Sequence, residues 1–219
     1  MKKTLNLIMA PLAGVGLTLA FAPYDGCYLA LPALMFFYWQ CAQAPYRRAA
    51  WRGYGFGLGL FASGIWWVYV SIHDFGGADP VSASLLAGLL IAVWALFPAL
   101  TALMTVRWMT LRWVWSRIAW GALIWVAIEY LRGYCLLNGF PWLQIAYSQL
   151  NTPLAGFAPI VGVYGVGFLL AASAFALVEM LLRRLPWQQG VWVLLLVWVS
   201  GGWLRTVSWT QAIGEAFSV

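Results

Sequence analysis

Residues 82–106 read SASLLAGLLIAVWALFPALTALMTV, with Asp79 upstream and Arg107 immediately downstream. No charged residue interrupts this run, and its apolar residues do not alternate with polar ones. An α-helix rises 1.5 Å per residue, so about 20 apolar residues cross roughly 30 Å of bilayer hydrocarbon. The run is long enough to span a membrane, and its continuity excludes the alternating pattern of an outer-membrane barrel strand. Further runs of the same character lie near 5–22, 26–43, 54–72, 118–136, 157–182 and 189–207. The chain is 64% hydrophobic and 8% charged, against about 25% charged in soluble domains, which excludes a water-soluble core. The predicted fold class is all-α: a polytopic transmembrane helix bundle of about seven spans over residues 1–207, with residues 208–219 as a periplasmic linker.

The gaps between these runs carry an uneven charge. Taken alternately, one set holds Lys2, Lys3, Arg47, Arg48, Arg52, Arg107, Arg112, Arg117, Arg183 and Arg184, and the other only Arg132 and Arg205. Cytoplasmic loops retain Lys and Arg, so the predicted N-terminus is cytoplasmic and the C-terminus emerges on the outer face. The net charge of +6 does not indicate a nucleic-acid partner. The basic residues sit in short gaps beside apolar spans, where anionic lipid headgroups are the natural neighbours. Lys2 and Lys3 before an apolar run ending Ala20-Phe21-Ala22 resemble a signal peptide. The run exceeds the usual h-region, and Pro23 follows the would-be cleavage site, so a retained span is expected.

Small residues recur at helical spacing. Ala10, Gly14, Thr18 and Ala22 share a face of the first run. In the third, Gly55, Gly59 and Ser63 form one face, with Gly53 and Gly57 on an adjacent one. Such faces let helix backbones approach closely. Trp66, Trp67, Trp108, Trp113, Trp115 and Trp142 fall near the ends of runs, where an indole anchors at the membrane interface. Cys27, Cys41 and Cys135 lack metal-ligand spacing, and no metal or cofactor is expected. Cys27 and Cys135 both lie near the predicted outer surface, and spacing does not decide whether they pair.

The outer gaps hold the chemically informative residues. They carry Pro23, Tyr24 and Asp25, then His73, Asp74 and Asp79, then the long connection 137–156. Gly139 and Pro141 prevent a continuous helix there. Phe140, Trp142 and Leu143 suit an interface, while Gln144, Tyr147, Ser148 and Gln149 supply hydrogen bonds. Two readings fit: a re-entrant turn that caps the bundle, or a lipid-facing wall of a binding site. Glu129 and Arg132, three apart, share a helix face and can pair. They are either a helix-end anchor or a headgroup site, in which Arg132 would hold phosphate through its planar fork of donors.

Together these segments resemble the apolipoprotein N-acyltransferase family. The resemblance is carried by Leu19-Ala20-Phe21-Ala22-Pro23-Tyr24-Asp25, by Gly64-Ile65-Trp66-Trp67-Val68-Tyr69-Val70-Ser71-Ile72-His73-Asp74-Phe75-Gly76, and by Glu129-Tyr130-Leu131-Arg132-Gly133 followed by Gly139-Phe140-Pro141-Trp142-Leu143-Gln144 and Tyr147-Ser148-Gln149. It implies a bacterial inner-membrane protein whose family transfers an acyl chain from a phospholipid, typically phosphatidylethanolamine, to the diacylglyceryl-cysteine of an apolipoprotein. The family's thioester chemistry uses a Glu-Lys-Cys triad in a periplasmic nitrilase-like domain. This chain has no Lys after Lys3, and its Cys residues lie in or beside spans. The resemblance therefore implies no catalytic residue here, and a chain that ends before the catalytic half and is inactive alone. As candidate lipid- or substrate-binding residues it points to Glu129, Arg132, Phe140, Pro141, Trp142, Gln144, Tyr147, Ser148, His73 and Asp74. A small transporter or a non-catalytic membrane scaffold is the alternative. A transporter needs polar groups at mid-membrane depth, which the span centres largely lack.

Overall fold

The first helix, α1 (Lys2–Thr18), and the third, α3 (Tyr46–Gly64), meet along the small-residue faces expected from the sequence. A Cβ at Gly59 would collide with the main-chain carbonyl of Pro11, and one at Gly14 with that of Phe56. Thr18 then donates to the Leu60 carbonyl at 3.0 Å, and Ser63 to Thr18 Oγ1 at 2.7 Å. The adjacent face of α3 receives another helix: a Cβ at Gly53 would lie 2.6 Å from the Pro98 carbonyl, and one at Gly57 2.7 Å from Ala95 Cα. Lipid removes most of the hydrophobic drive between helices, so this backbone-to-backbone packing is what joins them.

The computed structural model describes residues 2–135 and 139–210. Between α1 and α3 runs α2 (Ala30–Ala42), entered through a 3₁₀ turn at Cys27–Leu29. Then follow α4 (Trp67–Val70), α5 (Pro80–Trp94), α6 (Leu96–Trp108), α7 (Val114–Tyr130), α8 (Ala158–Leu181) and α9 (Trp187–Leu204). Among the described residues there is no strand. Three stretches are long and apolar enough to cross a membrane: Pro80–Trp108, Val114–Cys135 and Pro153–Leu181. The bent pair Tyr46–Gly64 and Trp67–Phe75 makes a fourth if it is one span, and Ile8–Thr18 and Cys27–Ala42 are shorter apolar helices.

Two predicted spans are interrupted. The run 82–106 changes from α5 to α6 at Ala95. Pro98 has no N–H to donate and its ring crowds the carbonyl of Trp94, so the helix yields there. The run 54–72 starts earlier, at Tyr46, and bends by 53° between Gly64 and Trp67. Helix α8 also carries a kink, at Gly162 with φ 65°, a left-handed conformation that glycine adopts without Cβ strain. Among the described residues the connection between α7 and α8 holds no α-helix, consistent with Gly139 and Pro141. A π-turn at Leu131–Cys135 leads, past residues 136–138, to 3₁₀ turns at Ile145–Gln149 and Pro153–Phe157. Of the predicted linker, residues 211–219 lie outside the described residues, as do Leu137 and Asn138.

Aromatic rings interlock within a core otherwise built of alanine and aliphatic side chains. Tyr38 stacks on Phe175 at 4.2 Å, and Phe37 meets Phe56 and Trp125 edge-on at 5.1 and 5.0 Å. At the end of the bundle holding the 42–46, 108–114 and 181–187 turns, a buried charge network closes it. Glu179, 0% exposed, accepts from Arg117 Nε at 3.2 Å and Nη2 at 3.0 Å, and from the Tyr38 hydroxyl at 3.0 Å. Arg117 also donates to the Leu111 carbonyl. These contacts tie α2, α7 and α8 together. Charges taken out of water persist when paired and hydrogen-bonded in this way.

Candidate functional site

The opposite end of the bundle is open. A cavity of ≈ 640 Å³ lies there, within the roughly 300–1,000 Å³ usual for small-molecule sites. Its floor is Thr18 and Phe21, both buried, and its rim is the exposed side chains of Tyr24, Trp66, Trp142, Tyr147 and Leu150. Three segments far apart in sequence supply the walls: the turn after α1, the bend after α3, and the 141–150 connection. The bend at Gly64–Trp67 is needed for this, because a straight α3 would carry Trp66 and Trp67 away from the turn at Phe21–Tyr24. Trp67 and Trp142 face each other across the cavity wall at 5.3 Å. Trp66, Trp67 and Trp142, expected as interface anchors and Trp142 also as a candidate binding residue, line the cavity.

The connection is held from below by the end of α7. Arg132, 3% exposed, donates from Nη1 to the Phe140 carbonyl at 3.2 Å and, by a shorter bond, to the Trp142 carbonyl. Its Cζ sits 5.3 Å from the centre of the Phe61 ring, a distance at which a cation is drawn to a π-face. Glu129, 6% exposed, accepts the Ile145 N–H at 2.9 Å. Phe140 N–H returns to the Arg132 carbonyl at 2.9 Å. Among the described residues no ion pair joins Glu129 to Arg132. Their expected pairing is corrected: the loop backbone competes for both side chains and takes them.

The other candidate residues divide between wall and support. Pro141, Trp142 and Tyr147 line the cavity. Phe140 does not; it stacks on Trp94 at 5.1 Å. Gln144 is buried and donates to the Tyr164 hydroxyl at 2.9 Å. Ser148 donates to the Ile145 carbonyl and accepts from Gln149, which also reaches the Cys27 carbonyl at 3.3 Å. His73 and Asp74 lie on a π-turn, Ser71–Phe75, outside the cavity lining, with His73 Nδ1 2.8 Å from the Ala78 carbonyl. Nearby Asp79 caps α5 by accepting from Val81 and Ser82 N–H. Hydrogen bonds from the Ser82 side chain and backbone, and from Val81, hold its carboxyl below the ordinary carboxylate range. All three cysteines are free, Cys27 and Cys41 buried and Cys135 exposed. No group of His, Cys, Asp or Glu among the described residues could hold a metal ion.

Sequence reasoning did not place Ser63, Trp66, Trp67 or Leu150 in a site, and it passed over Tyr164 and Glu179. Glu179 carried a usable signal: it is the sole acidic residue on the strongly basic side.

Apolar helices of membrane length, packed around buried aromatic rings and open at one end in an apolar cavity, define an α-helical membrane protein. More specifically, the chain belongs to the apolipoprotein N-acyltransferase family. The family model described as apolipoprotein N-acyltransferase N-terminal domain matches residues 13–176. An apolipoprotein N-acyltransferase of Azotobacter vinelandii is 44% identical over 97% of this chain and 42% of its own length. That of Nitrosomonas europaea is 41% identical over 98% and 43%, and that of Pseudomonas syringae pv. tomato 40% over 97% and 42%. The chain thus spans less than half the length of these relatives.

Proposed function

We propose that residues 1–207 are the multi-pass inner-membrane domain of an enzyme that moves a fatty acyl chain from a phospholipid to the N-terminal diacylglyceryl-cysteine of an apolipoprotein. The observation that carries this reading is the convergence of Phe21–Tyr24, Ser63–Trp67 and Pro141–Leu150 on one apolar cavity. These are the segments that bear the family resemblance. A donor lipid, phosphatidylethanolamine-like, lays an acyl chain among Phe21, Trp67, Trp142 and Leu143, with its ester near the rim formed by Tyr24, Trp66 and Tyr147. His73, Asp74 and Asp79 lie on the same end, where a headgroup ammonium or the acceptor would pass.

The covalent steps belong to the part of the family outside residues 1–219. There a Cys thiolate attacks the ester carbonyl, and the lysophospholipid leaves as an alcohol after taking up a proton. The acceptor's α-amine then attacks the thioester, loses a proton and displaces the thiolate, which leaves an amide. In this reading the chain binds lipid and transfers nothing. Ten of its twelve basic residues lie on one side, so seven spans place the N-terminus in the cytoplasm and the cavity at the periplasmic face.

Purified chain in phosphatidylcholine nanodiscs, given phosphatidylethanolamine with a photoreactive acyl chain, is expected to be labelled on the 141–150 segment. With radiolabelled donor it should form no thioester. Acyl capture on Cys27, Cys41 or Cys135, abolished by mutating that residue, would refute the division of labour. For orientation, Gly77→Cys and Gln188→Cys are placed singly in a background without the native cysteines. An impermeant thiol reagent on intact cells should reach position 77 and not position 188, and the opposite pattern inverts the topology.

A further inference from the structure

The cavity end carries two arginines among the described residues, Arg132 buried and Arg205 exposed, and both donate to main-chain carbonyls. Arg132 gives Nη1 to the carbonyls of Phe140 and Trp142, and Arg205 gives Nη1 to the Thr152 carbonyl at 3.1 Å. All three carbonyls belong to the one connection between α7 and α8. Its middle is held too, by Glu129 on the Ile145 N–H and by Gln149 on the Cys27 carbonyl. We propose that Arg132, together with Glu129 and Arg205, acts as a positioning residue. It fixes residues 140–152 as a rigid wall of the lipid cavity and makes no contact with the phosphate of the donor. The proposal rests on the lipid-binding reading of the cavity.

Three observations carry it. First, Arg132 is 3% exposed and does not line the ≈ 640 Å³ cavity. It borders a separate void of ≈ 20 Å³, and Leu143 lines both spaces. A phosphate in the cavity would meet the Leu143 side chain before it met the guanidinium. Second, Leu143 has φ 58°, a left-handed conformation that a side chain with a Cβ adopts only where its surroundings enforce it. The backbone is tied on both sides of it, at the Trp142 carbonyl by Arg132 and at the Ile145 N–H by Glu129. Those ties are what hold the strained residue and aim Leu143 at the cavity. Third, there is no room for slack: a Cβ on Gly64 would run into the Leu143 Cδ1 atom. Gly64 and Leu143 therefore interlock, and a displaced Leu143 would change the cavity rather than fill empty space.

The test compares two photoreactive lipids with the same acyl chains in phosphatidylcholine nanodiscs: phosphatidylethanolamine, and diacylglycerol, which has no phosphate. Arg132→Ala is expected to lower labelling of the 141–150 segment about tenfold with both probes, the scale of losing a charge-assisted hydrogen bond. Arg132→Lys, which keeps the charge but not the fork, should restore it only in part. Arg205→Ala should lower both in the same way, by less. A loss confined to phosphatidylethanolamine would make Arg132 a phosphate contact and overturn the proposal. Undiminished labelling by both probes would overturn it as well. If Arg132→Ala does not remain monodisperse, Glu129 decides. Glu129→Gln keeps an acceptor for Ile145 N–H and should retain labelling. Glu129→Leu should lose it and speed amide exchange at Ile145, and equal behaviour of the two variants would sink the proposal. Absence of labelling on wild-type chain would remove the lipid reading instead, while exchange at Ile145 would still report whether the tie exists.

Discussion

Two arginines near opposite ends of helix α7, Arg117 largely covered and Arg132 buried, are satisfied differently. Arg117 faces Glu179 with two hydrogen bonds, and Tyr38 completes the carboxylate. Opposite charges meet and three helices are joined. Arg132 faces main-chain carbonyls, while its neighbour Glu129 faces a main-chain N–H. There the charges do not join helices; they shape an irregular connection into the wall of a large cavity. An ion pair between helices closes a bundle, whereas an ion turned onto backbone dipoles can organise a loop. One helix thus serves as a structural joint at one end and as the scaffold of a site at the other.

The largest effect expected from this contrast is at the joint. Glu179→Leu leaves Arg117 charged and without its carboxylate in a largely covered setting, with only the Leu111 carbonyl as acceptor, a loss approaching about 3 kcal/mol. The loss should appear as reduced thermal stability in detergent. Arg117→Met combined with Glu179→Leu leaves only the exposed Arg184, which can turn to water, and should recover most of it. A single variant as stable as wild type would break the contrast.

The two ends share the α1–α3–α6 contact as their common frame. Gly59→Ala would drive a methyl group into the Pro11 carbonyl, and overpacking of this kind costs about 1–3 kcal/mol. Gly88→Ala on α5 meets nothing within 4 Å and should leave stability unchanged or raise it slightly. Equal melting of the two variants would show that the frame is looser than the contacts indicate.

At the open end, function and stability should separate. Trp142 is half-exposed and pairs with Trp67, so Trp142→Ala should cost about 1 kcal/mol while capture of photoreactive phosphatidylethanolamine falls sharply. A large stability loss with normal capture would mean that the open end is built like the closed one.

The smallest effect concerns Asp79, at the same end but outside the cavity. Its carboxyl is held below the ordinary range by its bonds to Ser82 and Val81. A depressed folded-state pKa contributes stability above the unfolded value, near pH 4, and that stability is lost as pH falls through the folded value. The difference in melting between wild type and Asp79→Ala should be present at neutral pH and shrink under strong acid. A difference that grows on acidification would contradict the cap geometry.

Much of this architecture was legible in the residues. Long apolar runs without interruption were read as helices, and Pro80–Trp108, Val114–Cys135 and Pro153–Leu181 are long and apolar enough to cross a membrane. The two glycine faces of α3 were visible as four-residue spacings, because close backbone approach needs small residues at a helical period. The breaks were less legible: Pro98 acts on Trp94, one turn upstream of where the eye falls, and nothing in Gly64-Ile65-Trp66 states a 53° bend. The cavity residues were readable as separate aromatic turns, but their meeting depends on that bend. The partners of Glu129 and Arg132 were misjudged for a physical reason. Side-chain spacing along a helix shows which ions are neighbours, yet it carries no information about the backbone groups of a loop that folds back on them. Glu179 has Arg183 four residues on, whereas its main partner is Arg117, 62 positions earlier.

The two glycine faces of α3 also set an order of events during synthesis. When α3 leaves the ribosome, α1 is already made, so the Gly59–Pro11 and Gly14–Phe56 contacts have a partner at once. The face at Gly53 and Gly57 has none until α6 follows. One face of α3 is therefore covered while the other stays open until α4 and α5 have been made. A pause in synthesis between residues 65 and 95 is the one expected to prolong that interval.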